Sequence, residues 1–445
     1  MTQEGNRRKG LRSKELADAT PDSRNRYVDL MRVISIAAVV IGHWMLAVLG
    51  WKGGFTGANL LTLDPSLHIL TWVFQVMPVF FIVGGFANGG SWESAERNGI
   101  GYGEWLRNRA VRLMRPAVVF VAFWTILPAI AVGVGLPSSF ARLGGQEVAL
   151  PLWFLGIYLA MMLFVPVLVI AHRRWGAWTL AVLALAVAAI DIARYGLALR
   201  EVGAPNFLFV WLGMLELGLR WRDGSLTRRR WLPWAMAGGG LLVLAVLTLA
   251  INYPVSMVHL FAAPRSNAMP PTFALFALGV WQCGAMLIFE AVANRWLQRS
   301  KAWVGVVVAN SVIMTLYLWN MSAVVLAAAL LFPTGVFPQP EALGAPWWWL
   351  RPAWLLACST CLVPFVLGFR WAERPSPISS VSPGPTNTIA TVSGTALAAA
   401  GLGVLAANAF PVVGEPSAVQ MSGVAAILAS VLLLRLSYGR GDVRT

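Results

Sequence analysis

The sequence is short of charge. Asp, Glu, Lys and Arg make up 12% of its 445 residues, where a soluble domain carries about 25%. With 58% of the chain hydrophobic, a single core in water cannot hide the apolar surface, so a soluble globular fold is excluded. Acidic residues are the scarcer sign, 19 against 34 basic, for a net charge of +15. The basic residues sit in short segments between apolar ones. That is a topology pattern rather than a nucleic-acid surface, and nucleic acid is not an expected partner. Histidine and cysteine are few as well. His43, His68, His172 and His259 are dispersed without metal-ligand spacing, so no metal site is expected. Cys283, Cys358 and Cys361 all fall inside apolar stretches. The lone C-x-x-C at 358–361 has no second pair and no nearby histidine, and reads as packing rather than metal or redox chemistry. No internal repeat marks the two halves of a transporter.

Long apolar runs are what the sequence has in quantity. Windows of about 20 such residues predict helices over 28–50, 69–90, 116–135, 151–171, 177–194, 205–219, 231–252, 272–293, 304–331, 351–369, 394–411 and 421–434. The expected fold is all-α: a polytopic transmembrane helix bundle with a ten-helix core and two further C-terminal helices. Glycine (42) suits close helix packing in lipid, and tryptophan (22) suits the two interfaces. With the N-terminus placed inside, Lys52, Arg142, Arg194, Arg200, Arg265 and Arg351 alone among the 34 basic residues fall outside. A miscounted helix would invert every later loop and scramble this bias. The expectation is a multi-pass plasma-membrane protein with both termini cytoplasmic. Residues 1–26 form a basic cytoplasmic tail without the apolar stretch of a signal peptide. Residues 27–371 form the membrane domain, and 372–393, rich in Pro, Ser and Thr, a flexible linker. Residues 394–435 hold two accessory helices with little intramembrane polarity, and 436–445 a second cytoplasmic tail.

An ionisable side chain in lipid is costly unless it faces a cavity or a partner. The first helix carries three such groups: Asp29, Arg32 and His43. His43 stands about 16 Å along the axis from Arg32, at or beyond mid-depth. At about 100° per residue all three share one face. Arg32 taken alone is a snorkelling anchor, but the shared face points towards function. A second cluster, Arg109, Arg112 and Arg115, forms an i, i+3 stripe of guanidinium groups before the third helix. Such a stripe suits either the positive-inside rule or a phosphate-rich cytoplasmic ligand. The other buried polar groups are Gln75, Asn88, Asp191, Glu216, Glu290, Tyr317 and Asn320. Asp191 with Arg194 and Glu216 with Arg220 read as structural pairs. His172 is placed in a short inner loop.

In this setting R-N-R-Y-V-D-L-M-R-V-I-S-I-A-A-V-V-I-G-H (24–43) resembles the opening helix of the acyltransferase 3 family, with its D-x-x-R step and R-x10-H spacing. V-F-F-I-V-G-G-F (79–86), R-x-x-R-L-M-R-P (109–116), L-W-F-L-G-I-Y-L (152–159) and Y-L-W-N (317–320) are similar to later family segments, in family order. The family often has histidine where this chain has Asn320, and asparagine cannot act as a general base.

The resemblance implies a membrane-bound acyltransferase. It would move an acyl group, often acetyl, from cytoplasmic acyl-CoA as co-substrate to a hydroxyl of a carbohydrate, lipid-linked glycan or other small acceptor. No bound cofactor is expected, and the partners are acyl-CoA, the acceptor and the lipid bilayer. His43 would be the base, Arg32 the orienting donor held by Asp29, and Arg109, Arg112 and Arg115 the ligands of CoA phosphates. Tyr317 and Asn320 would line the acceptor end. The alternatives are a glycan or lipid transporter or flippase without acyl transfer, and an inactive relative kept as a scaffold.

Overall fold

The computed structural model describes residues 25–133, 145–197, 199–260, 264–374, 386–411 and 417–437. Nearly all of both expected tails, half of the expected linker and Arg142 lie outside the described residues. In chain order the main helices are α1 (Arg26–Leu46), α2 (Met77–Arg97), α3 (Tyr102–Gly133), α4 (Leu152–Trp175), α5 (Ala177–Asp191), α6 (Asn206–Arg222) and α7 (Leu232–Leu249). They continue as α8 (Phe273–Leu297), α9 (Ser300–Asn310), α10 (Ile313–Leu331), α11 (Ala345–Phe369), α12 (Thr388–Asn408) and α13 (Ala418–Leu436). Among the described residues twelve helical spans are long and apolar enough to cross a membrane, one at each expected place. Large apolar side chains point outward along them, Trp349 at 83% and Leu249 at 79% exposed. Water would not tolerate that surface and lipid does. The chain is a multi-pass membrane protein.

Boundaries differ from the sequence expectation in several places; α12, for one, begins at Thr388, inside the expected linker. The first helix stops at Leu46, and the chain turns into an antiparallel hairpin of β1 (Ala47–Trp51) and β2 (Phe55–Asn59). Gly53 at the turn has φ +72, a left-handed conformation open to glycine at little cost. The third helix begins at Tyr102 rather than near 116, so the arginine stripe lies on the helix and Pro116 sits inside it. The ninth span is broken between α9 and α10. The Glu373 carboxylate accepts hydrogen bonds from the Met314 and Thr315 amides and the Thr315 hydroxyl, satisfying the free donors of a new helix start.

The chain divides into two compact units. The first comprises Met1–Val39, Pro65–Ser91 and Val167–Ile313. Its helices cross at glycines. A methyl group at Gly85 would strike the Leu215 backbone, and one at Gly218 the Ile82 carbonyl, so α2 and α6 approach as only glycine allows. Gly240 and Gly284 meet the backbones of Trp281 and Ala237 in the same way between α7 and α8. Phe81 stacks on Trp211 at 4.4 Å within this core.

The second unit comprises Val40–Asp64, Trp92–Pro166 and Met314–Thr445. Its core is aromatic. Trp319 of α10 stacks on Phe369 at 4.0 Å and on Phe365 at 4.9 Å, and meets Phe120 and Phe123 edge-on. The last two helices pack on α3: Arg107 Nε donates to the Leu434 carbonyl at 3.2 Å, and Phe120 meets Phe410 edge-on.

Candidate functional site

The end of α1 and the middle of α10 build the most pointed arrangement of the second unit. His43 lies in the last turn of α1, because that helix gives way to the hairpin so soon after it. Asn320, wholly buried, follows Tyr317 by one turn on α10. The His43 Nδ1 and Asn320 Oδ1 atoms are 3.0 Å apart, a hydrogen bond between positions 277 residues apart in the chain. Asn320 Nδ2 donates to the Tyr317 carbonyl, and the Asn320 carbonyl accepts from Trp44 Nε1 at 3.0 Å. Trp354 Nε1 in turn donates to the Trp44 carbonyl at 3.1 Å. Tyr317, 1% exposed, donates its hydroxyl to the Pro151 carbonyl at 2.7 Å. His43 itself is half-buried. The arrangement is an imidazole gripped on one side by a fully engaged amide. Such a ring can take a proton on its other nitrogen and return it.

The remaining expected residues fall into two groups. In the first unit Asp29, 4% exposed, pairs with Arg32 at 3.3 Å, and its backbone carbonyl accepts from Asn310 Nδ2 at 3.2 Å. The structure thus brings Asp29 and Arg32 together in one unit, and His43 and Asn320 together in the other. The arginine stripe belongs to the second unit. Arg109 stacks over the Trp105 ring at 5.4 Å, Arg112 interacts electrostatically with Glu373, and Arg115 donates to the Arg374 carbonyl at 2.8 Å. Two of the three therefore also brace the far end of α11 against α3.

A cluster in the first unit escaped the sequence. His172 lies on α4, not in a loop, and bridges two carboxylates, Glu216 at 2.9 Å from Nδ1 and Asp223 at 3.2 Å from Nε2. The expected Glu216–Arg220 pair is present but longer, at 3.8 Å. Asp191 is likewise less a partner of Arg194 than a hub, accepting from Asn206 Nδ2, the Tyr253 hydroxyl and the Phe273 amide. No spacing rule joins residues so far apart in sequence, so no signal in the chain announced these contacts. Among the described residues no cluster of histidine, cysteine and carboxylate groups is arranged to hold a metal ion.

No curated protein and no solved structure matches the chain. The model of the acyltransferase 3 family, described as an acyltransferase domain, matches residues 25–369, from the start of α1 to the end of α11. That match covers well over half of the sequence, including His43, Asn320 and the arginine stripe. The chain therefore belongs to the acyltransferase 3 family and is a membrane-embedded acyltransferase.

Proposed function

We propose that the protein transfers an acyl group, most simply acetyl, from cytoplasmic acyl-CoA to a hydroxyl of a carbohydrate, a lipid-linked glycan or another small acceptor. The observation that carries this reading is the His43 imidazole, half-buried in a membrane-spanning helix and held through one nitrogen. Acyl transfer to an alcohol needs a base that takes the hydroxyl proton as the oxygen attacks the thioester carbonyl. The carbon–sulfur bond then breaks, and the imidazolium returns that proton to the CoA sulfur, which leaves as the free thiol. Histidine suits both steps, because its ordinary pKa, about 6.5, lies near neutrality.

Arg32, kept in place by Asp29, is assigned as the donor that orients the acyl group. Arg109, Arg112 and Arg115 are assigned to the CoA phosphates, since guanidinium groups pair with phosphate through two parallel donors. This places the arginine-rich ends, and both termini, in the cytoplasm of a plasma-membrane protein, in line with the basic-residue bias. Purified full-length protein in detergent, given acetyl-CoA and candidate glycans, should release CoA and form an O-acyl ester. Binding or translocation of a glycan with no consumption of acetyl-CoA would favour the transporter alternative. Reporter fusions at each end check the orientation.

A further inference from the structure

The amide of Asn320 has a readable orientation. Its Nδ2 donates to the Tyr317 carbonyl, which can only accept, so the Oδ1 atom is the one that faces His43. An amide oxygen also only accepts. The 3.0 Å contact therefore requires the proton on His43 Nδ1. A neutral imidazole carries one N–H, so Nε2 is left unprotonated, with its lone pair able to accept. No hydrogen bond to His43 Nε2 is seen among the described residues, so nothing there competes for it.

The surroundings hold this geometry. Asn320 also accepts from Trp44, the residue after His43, through its backbone carbonyl, and Trp44 accepts from Trp354. The neighbouring Trp319 is clamped between aromatic rings of α3 and α11. The end of α1 and the middle of α10 are thereby fixed at the height of the imidazole–amide pair. Asn320 is wholly buried, so it is poorly placed to touch an acceptor directly.

We propose that Asn320 is a positioning residue: its side-chain oxygen holds His43 in the tautomer protonated at Nδ1, which presents Nε2 as the nitrogen that deprotonates the acceptor. This rests on His43 being the base. It gives the asparagine a task that needs no basicity of its own, and it moves Asn320 from the acceptor wall to the support of the imidazole. Free imidazole prefers no single nitrogen strongly enough to dispense with such a hold, because the hydrogen bond to the other nitrogen sets which one is free.

Nitrogen-15 spectra of histidine-labelled full-length protein in detergent test this without an acceptor, using H43A to identify the His43 signals. Neutral His43 should be protonated at Nδ1 and unprotonated at Nε2. A proton on Nε2 instead would overturn the proposal. Acetyl-CoA hydrolysis, with water in place of the acceptor, supplies the kinetic arm. N320L should release the tautomer and lower kcat by about 10²-fold, the lower end of what a placed base contributes, with KM for acetyl-CoA unchanged. N320D keeps an oxygen against Nδ1 and should retain the wild-type tautomer and most of kcat. Should N320L fail to fold, the wild-type spectrum and N320D still decide the matter. An N320D protein that loses the tautomer yet keeps kcat also sinks the proposal. Wild-type hydrolysis by H43A would remove the base itself, a different failure, legible because the tautomer assignment would still stand.

Discussion

The two units bury polarity in different ways. In the first, deep carboxylates are tied to several partners at once. Asp191 accepts three hydrogen bonds, Glu290 accepts from Asn25 and Trp221, and Glu216 faces both His172 and Arg220. In the second, Glu373 is consumed in starting α10, and the deep imidazole meets an uncharged amide. A buried charge is stable only when its partners repay the loss of water. Partners in that number leave little of the group for a substrate. A neutral imidazole–amide pair is cheaper to bury and leaves one nitrogen uncommitted. Histidine alone is thus a poor guide to chemistry: His172 is flanked by two carboxylates, while His43, the proposed base, meets a neutral amide.

The largest effect expected from this contrast is on turnover. His43→Ala should lower acyl transfer by about 10²–10⁴-fold with membrane insertion intact, whereas His172→Ala should leave kcat nearly unchanged. The cost of the latter falls on stability, about 3 kcal/mol, because Glu216 loses a buried counter-group. Thermal unfolding and CoA release measured on both variants check it, and equal losses of turnover would break the comparison.

Next comes the glycine crossing of the first unit. Gly218→Val drives a side chain into the Ile82 carbonyl, and should cost at least about 3 kcal/mol, the upper range for an overfilled core. The expected readout is a collapse of monodisperse protein in detergent. Gly238, whose added Cβ would meet nothing within 4 Å, serves as the control that should tolerate the same change.

A smaller and more selective change is expected at the arginine stripe. Lysine at Arg109, Arg112 or Arg115 preserves the charge bias and loses the two-pronged donor. The apparent KM for acyl-CoA should rise by about 10- to 100-fold, the worth of a charge-assisted hydrogen bond, while that for acceptor stays put. If stability falls and KM does not, the arginines serve only Glu373 and the Arg374 carbonyl.

The smallest effect on chemistry is expected from removing the final pair. A protein ending at residue 374, which keeps Glu373 at the start of α10, should retain measurable transfer, since the family match ends at 369. Its thermal stability should drop through loss of the Arg107–Leu434 and Phe120–Phe410 contacts. Complete inactivity of well-folded truncated protein would show that α12 and α13 shape the site.

Much of this molecule was legible in the chain. The twelve spans, the place of Asp29 beside Arg32 and the candidacy of His43 all follow from windows and helical spacing. Lipid imposes its test on each run of about 20 residues separately, and spacing along one helix fixes which side chains share a face. The hairpin after Leu46, the break before α10 and the length of α3 did not follow. The first two depend on a single turn or a distant group: Gly53 in the hairpin, Glu373 at the start of α10.

What the sequence by itself determined is therefore the architecture, an all-helical membrane bundle, because hydrophobicity acts locally and adds up along each segment. What only the tertiary structure decided is which polar groups meet. Asn320 could have been an acceptor contact or a relic. It becomes the partner of His43 because α10 carries it to within 3.0 Å of the imidazole, from 277 residues away. A hydrogen bond is satisfied only at that range and in that direction, and no rule of spacing along the chain reaches so far.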